Sequence, residues 1–356
     1  MSSISFIYGT DTVSRTLLSS GNIYYGTDPT ISWLHTENQY IKNENNETVW
    51  LRGVAWYETY VTLAYDWSPE LRAERTKSAG FNTVRVPIAW NTNPEVTTWK
   101  SSEAYRDFIY RIVDACVANG LYVVLDFHNC WIGYTLFPQG QQESFLTDSA
   151  NIRDWCNWWG ELANRYKDTP NVLYELFNEP RGGTSSVIEN NYRPAIEQAV
   201  QTIQGNNSRA LILVSDWQMN QIHDAFLTPK YPNIAYIFHR YKESDGWQSN
   251  YPDLYDSGDY EEAQSVMQDL YNMSGYWLTQ KGIAPVLHGE FGLQTFTNGD
   301  LQWLADVLPM DQSNEVSWMI WYWMPANPVA KYQITEDEGQ TWTTSGQIVI
   351  DFLATI

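Results

Sequence analysis

The chain has 356 residues, 43% of them hydrophobic, which is enough for the core of one large α/β domain with loop insertions. Its 42 acidic and 21 basic residues leave a formal charge of −21, which repels nucleic acid and anionic membranes and favours a neutral partner. No apolar run is long enough to cross a bilayer, so a soluble protein is expected, and MSSISFIYGT shows no basic stretch followed by an apolar one, so no signal peptide is read there.

Along the chain, a short β-branched run, a loop and an amphipathic helix recur. The first thirty or so residues are weakly patterned and receive no place. ISWLHTENQYIKNENNETVWL reads as a hairpin turning through Asn43 to Thr48. Residues 1–48 are thus expected to be an extension packed on a barrel domain of residues 49–356. Strands are expected at Val49–Trp56, Phe81–Ile88, Leu121–Phe127, Val172–Asn178, Ala210–Ser215, Ile234–His239, Ala284–Glu290 and Val316–Trp323.

Helices are expected between them, at Pro69–Ala79, Glu103–Asn119, Ile152–Lys167, Ile188–Gln204, Glu261–Gln280, Leu301–Leu308 and Ser345–Leu353. Ser68 is a good cap that places Pro69 at the first helical position, and Gly120 is a stop signal. Eight strands alternating with helices predict parallel strands, and the count favours a closed (β/α)8 TIM barrel over an open sheet. No Gly-rich phosphate loop follows the first strand.

Cys116, Cys130 and Cys156 are too few and too widely spaced for a disulfide framework or a zinc motif, and neither metal nor other cofactor is expected. The 18 Trp and 24 Tyr exceed what a core needs. Sugar rings present flat C–H faces that pack on aromatic rings, so such a composition suits a carbohydrate cleft. Most of these rings are read as packing. Trp33, Trp56, Trp131, Trp217 and Trp321 fall near strand ends and are candidates for substrate contact.

Barrel active sites form at the C-terminal strand ends. Polar residues gather at those ends here: Arg85, then Asp126 and His128, Asn178 and Glu179, His239 and Tyr241, His288 and Glu290. A buried polar group needs a partner or a task. Glu179 and Glu290 close strands four and seven and face each other across the mouth. Glycoside hydrolysis needs one carboxylic acid to protonate the leaving oxygen and a second carboxylate as nucleophile or base. Glu175 alternates away from the rim and is read as structural. His35, Glu58 and Asp126 are read as core or supporting positions.

LRGVAW, FNTVRVPI, LDFH, YELFNEP, HRY, GEFG and WMIWYW, in this order and at strand ends, resemble the motifs of glycoside hydrolase family 5, the cellulase family. The resemblance runs from roughly Trp33 to the C-terminus. It implies a retaining β-glycosidase, an endo-β-1,4-glucanase, with Glu179 as acid/base and Glu290 as nucleophile. A β-mannanase or other β-glycan hydrolase on the same site, or a carbohydrate-binding barrel without catalysis, are the alternatives. Arg85 and Tyr241 would hold Glu290 ionised, and Asn178 would bind the sugar 2-hydroxyl. His128 and His239 would bind hydroxyls or tune Glu179. Trp321 would form the floor under the sugar, with Trp33, Trp56, Trp131 and Trp217 at flanking subsites. The resemblance further implies a secreted or cell-surface monomer acting on β-glucan polysaccharide or oligosaccharide. Ala55 departs from the Asn often found there.

Overall fold

A computed structural model describes residues 31–56, 67–90, 99–128, 145, 147–180, 187–215, 222–242, 249–323 and 331–356, together with the backbone of three earlier strands. Those three, β1 (Ser3–Tyr8), β2 (Asp11–Leu17) and β3 (Ile23–Tyr25), form an antiparallel sheet in the order β1-β2-β3. Next come β4 (His35–Glu37) and β5 (Tyr40–Lys42), an antiparallel hairpin. Its turn lies at Asn38 and Gln39, with Asn38 in the left-handed region at φ 53°, rather than at the expected Asn43–Thr48. Asparagine tolerates that conformation. The Asn43–Thr48 run makes a second turn, closed by a bridge between Lys42 and Thr48.

Eight parallel strands then close a barrel: β6 (Arg52–Ala55), β7 (Thr83–Ile88), β8 (Tyr122–Phe127), β9 (Val172–Glu175), β10 (Ile212–Ser215), β11 (Ile234–His239), β12 (Val286–Glu290) and β13 (Ser317–Ile320). Each pairs with the next in sequence, and β13 pairs back onto β6. This is the (β/α)8 topology. Around it lie α1 (Pro69–Ser78), α2 (Glu103–Ala118), α3 (Ser149–Arg165), α4 (Arg193–Asn206), α5 (Tyr251–Ser257), α6 (Tyr260–Tyr271), α7 (Trp277–Gln280), α8 (Asn298–Ser313) and α9 (Thr344–Leu353).

Local chemistry sets the helix ends. Ser68 accepts a bond from the Leu71 amide at the start of α1, with Pro69 at its first position. Thr297 and Asp300 form a reciprocal capping box on α8. The sequence reading stops that helix at Leu308, before Pro309, yet it runs on to Ser313. Asp311 holds the added turn in place. It accepts a bond from Tyr276 Oη at 2.6 Å and lies 3.0 Å from His288 Nδ1.

Two apolar layers carry the fold. The larger lies between the barrel and its helices. The smaller fills the barrel and includes Tyr122, Val124, Leu173, Leu213, Ile237, Leu287 and Met319. Leu34 and Ile41 of the hairpin region belong to this inner layer with Leu51 and Leu211, which precede their strands. The hairpin therefore seals the N-terminal end of the barrel, and the opposite end carries the polar residues.

Candidate active site

Side chains alternate across a strand, so Tyr122, Val124 and Asp126 of β8 point into the barrel, as do Leu173 and Glu175 of β9. The inner layer changes from apolar to charged as it nears the mouth. Glu175, expected to turn away from the rim, faces the interior one level below it. Arg85 stands mid-strand in β7 and is fully buried at the same level.

Arg85 joins this layer to the mouth. Its Nε and Nη2 donate to Glu175 at 2.6 and 2.7 Å. Nη2 also donates to Asn178 Oδ1 at 2.8 Å and lies 2.9 Å from Asp126 Oδ2, while Nη1 donates to Glu290. One cation thus serves three buried carboxylates. Burial opposes the Arg85 charge, but Asp126, Glu175 and Glu290 outweigh it and raise its pKa. Burial pushes Asp126 up to about 7 and also raises Glu175, with Arg85 pulling against both.

Glu290 ends β12. One of its oxygens meets Arg85, and the other accepts a bond from Tyr241 Oη at 2.9 Å. Burial raises the Glu290 pKa; Arg85 opposes this, and the Glu179 and Asp126 charges reinforce it. Burial and the Glu290 charge push Tyr241 up, so it remains a protonated donor. Glu179 follows β9 with φ 39°, in the left-handed region. A non-glycine residue seldom adopts that conformation, and it persists where surrounding contacts over-determine it. Glu179 Oε1 lies 3.2 Å from His239 Nδ1, which is 3.6 Å from Glu290 Oε2. One oxygen of each carboxylate and one His239 nitrogen lie within 4.8 Å of one another. Burial lowers His239 to about 4, against its hydrogen bond to Glu179, so its imidazole is neutral near pH 7.

Trp321 follows β13, 8% exposed, and its peptide bond to Tyr322 is cis. Its ring lies parallel to that of His128, at 9° and 5.4 Å between centroids, with the Arg85 guanidinium 5.8 Å away. Both glycines of the GEFG segment have a steric reason. A Cβ on Gly289 would lie 2.3 Å from Ile237 Cδ1, and one on Gly292 would lie 2.3 Å from the Trp321 carbonyl oxygen. Tyr332 packs edge-on against Tyr241 at 5.4 Å, a neighbour that sequence patterning did not single out.

The structure thus brings together Arg85, His128, Asn178, Glu179, His239, Tyr241, Glu290 and Trp321. Trp33 and Trp56 are corrections. Trp56 is fully buried, edge-on to Trp67 at 5.6 Å and close to Arg72, so it offers no face to a ligand. Trp33 lies beside Arg209 and Glu44 at the sealed end of the barrel, away from the carboxylates. His35 is in the same hairpin and does not line the mouth. Trp131, Trp217, Glu58 and Cys130 lie outside the described residues. Among the described residues, Glu179, His239 and Glu290 have the spacing a metal ion could accept, but Arg85 and Tyr241 already satisfy Glu290.

The sequence model of the cellulase family, glycosyl hydrolase family 5, matches residues 38–327. Endoglucanase 1 of Ruminococcus albus is 25% identical over 262 residues, which is 68% of this chain and 61% of that protein. An endoglucanase of Paenibacillus polymyxa is 24% identical over 299 residues, 73% of this chain and 71% of that protein. For endoglucanase A of Clostridium longisporum, 27% identical, the matched share of that protein is 44%. The chain therefore spans well under the full length of several curated relatives. Among solved structures, a hyperthermophilic endocellulase of Pyrococcus horikoshii shares the fold at a TM-score of 0.67, with 19% identity over 90% of this chain and 99% of that one.

Proposed function

This chain belongs to the cellulase family, glycosyl hydrolase family 5, and on that premise we propose that it is a retaining endo-β-1,4-glucanase working by double displacement. The observation that carries the proposal is the approach of Glu179 and Glu290, one carboxylate oxygen of each lying within 4.8 Å of the other. Retaining pairs stand about 5–5.5 Å apart, and an inverting pair must leave about 6.5–9.5 Å for a water.

In the first step, Glu290 attacks the anomeric carbon and Glu179 gives its proton to the leaving oxygen. In the second, Glu179 takes a proton from water, which releases the sugar from Glu290 with the original anomeric configuration. The first step needs charge on Glu290 and a proton on Glu179. Arg85 and the Tyr241 hydroxyl both favour the charge at Glu290. His239 sits between the two carboxylates as a neutral ring.

Asn178 gives its carbonyl oxygen to Arg85, which orients its amide N–H groups as donors to the sugar 2-hydroxyl. That contact strengthens as the oxocarbenium-like transition state forms. Trp321, its plane set by His128, is the floor under this sugar. A β-glucan outside the cell is the substrate, so the protein is secreted or surface-bound and acts as a monomer. Residues 1–48 are an extension, and 49–356 form the catalytic barrel. The relatives named as endoglucanases support the substrate.

The test is product release from carboxymethylcellulose, lichenan, xylan and mannan, wild type against Glu290→Ala. Cleavage of carboxymethylcellulose by wild type alone is the expected result. Cleavage of mannan instead would move the substrate. Tight binding with no cleavage would make the protein a sugar-binding barrel.

A further inference from the structure

Lys242 is 4% exposed and Asp300 2%, and neither has a part in the steps above. We propose that Lys242 is a positioning residue: its buried ion pair with Asp300 holds Tyr241 where that phenol donates to Glu290. The catalytic consequence rests on the proposed function; the hold on Tyr241 does not.

Lys242 follows Tyr241 beyond the end of β11, and Asp300 lies in the first turn of α8. Lys242 Nζ donates to Asp300 Oδ1 at 2.7 Å and also to Asp256 of α5. The second Asp300 oxygen accepts from Thr295 Oγ1 at 2.6 Å and from the Thr297 amide at 2.9 Å. Both threonines belong to the segment that leads from Glu290 into α8. The contacts therefore close on themselves. They run from Glu290 along its own loop to Asp300, across to Lys242, and back through Tyr241, whose Oη donates to Glu290 at 2.9 Å. The two strand ends are also tied directly, by the Arg240 amide donating to the Glu290 carbonyl oxygen at 3.1 Å. Tyr332, which packs against Tyr241, donates its amide to the Leu293 carbonyl oxygen of the same loop at 2.8 Å.

Burial opposes the Lys242 charge, but Asp256 and Asp300 outweigh it and raise its pKa. Burial works against the Asp300 charge too, and Lys242, Thr295 and Thr297 hold that carboxyl at about 2. The pair is thus charged across ordinary pH. A buried ion pair adds little net stability over apolar residues of the same volume, but it can fix one arrangement of the segments it joins. Here those segments carry Tyr241 and the loop that leaves Glu290. Glu290 also faces Arg85 on β7, Asp126 on β8, Glu179 after β9 and His239 on β11. Of the groups around Glu290, Tyr241 is the chain neighbour of Lys242, so a released Lys242 weakens the Tyr241 bond first.

The test is the titration of the Glu290 carboxyl, followed by ¹³C NMR of the ligand-free chain labelled at glutamate and assigned by loss in Glu290→Gln. The kcat/KM pH profile on a chromogenic cellobioside accompanies it. Lys242→Met and Asp300→Asn both release the anchor. Asp300→Asn keeps the α8 cap through its amide oxygen and turns its N–H2 towards Lys242, so it decides the question if Lys242→Met does not fold. Each is expected to raise the Glu290 pKa by about one unit, because a donor to the charged form is weakened. The acid limb then moves to higher pH, and kcat/KM on that side falls about 10–100-fold. Asp256→Ala removes only the half-exposed partner of Lys242 and stays within about twofold of wild type. In a Tyr241→Phe background, Lys242→Met moves the Glu290 titration no further, since the two residues act as one unit. A further rise of equal size in that background overturns the proposal, because Lys242 would then act without Tyr241. So does an unchanged Glu290 titration in the folded single variants. If the titration moves as stated and wild type cleaves no substrate, the proposed function fails and the positioning by Lys242 stands.

Discussion

Replacing Arg85 with lysine tests the charge balance under the site. The guanidinium is fully buried and bonds Glu175 twice, Asn178, Asp126 and Glu290 from one planar fork. A lysine ammonium has three donors at a single point on a shorter reach. It cannot satisfy Glu175 twice and still reach both Asp126 and Glu290. One or two charged hydrogen bonds are lost, each worth about 1.5–3 kcal/mol, so unfolding free energy falls by about 2–5 kcal/mol. Glu290 is held by Nη1 alone, a donor that a lysine lacks once its ammonium faces Glu175. Losing 1.5–3 kcal/mol of preference for its charged form raises its pKa by about 1–2 units.

The sign is fixed: Glu290 works ionised, activity fails below its pKa, and the acid limb therefore moves to higher pH. In the kcat/KM pH profile on a chromogenic cellobioside, Arg85→Lys is expected to lose about 10–100-fold on the acid side and to recover part of it at higher pH. A folded Arg85→Lys variant whose acid limb stays in place would refute the role given to Arg85.

Trp33→Ala should leave KM and kcat within about twofold of wild type, because the ring sits at the sealed end of the barrel. Steady-state kinetics checks this, and a large rise in KM would return Trp33 to the substrate cleft. Gly292→Ala places a Cβ 2.3 Å from the Trp321 carbonyl oxygen, so one of them must move. It should cost about 1–3 kcal/mol in urea unfolding and lower kcat along with stability. Stability should also depend on pH through His128 and His239, held near 3 and 4 when folded. Unfolded histidine protonates near 6.5, so their contribution is complete above about pH 6.5 and is lost as pH falls towards those folded values. His239→Asn should flatten the slope of the urea midpoint between about pH 6.5 and 4, and an unchanged slope would count against a neutral buried ring.

The eight barrel strands were legible because buried β-branched runs and helical periodicity alternate along the chain. Their ends were less so. β9 stops at Glu175, since Asn178 and Glu179 must leave the ladder to turn into the mouth. Helical stretches expected to be continuous are interrupted by π-turns at Ile188–Tyr192 and Asn272–Tyr276, where the apolar pattern persists but the hydrogen-bond spacing changes. The Asp126–His128 and Arg85–Glu175 contacts were within reach of simple alternation, which puts Tyr122, Val124, Asp126 and His128 on one face. The tryptophans were not legible in this way. Closeness to a strand end in sequence does not say which face a ring takes, and Trp56 turns outward to meet Trp67. The short α5 went unseen because Tyr251–Ser257 spans barely two turns.

The proposed double displacement predicts a covalent sugar on one residue. Incubation with a 2-deoxy-2-fluoro cellobioside bearing a good leaving group, followed by proteolysis and mass spectrometry, reads this out. A glycosyl mass on the peptide containing Glu290, absent in Glu290→Gln, is the result expected. A glycosyl mass on Glu179 or elsewhere, or no adduct together with inverted product by NMR, would contradict it.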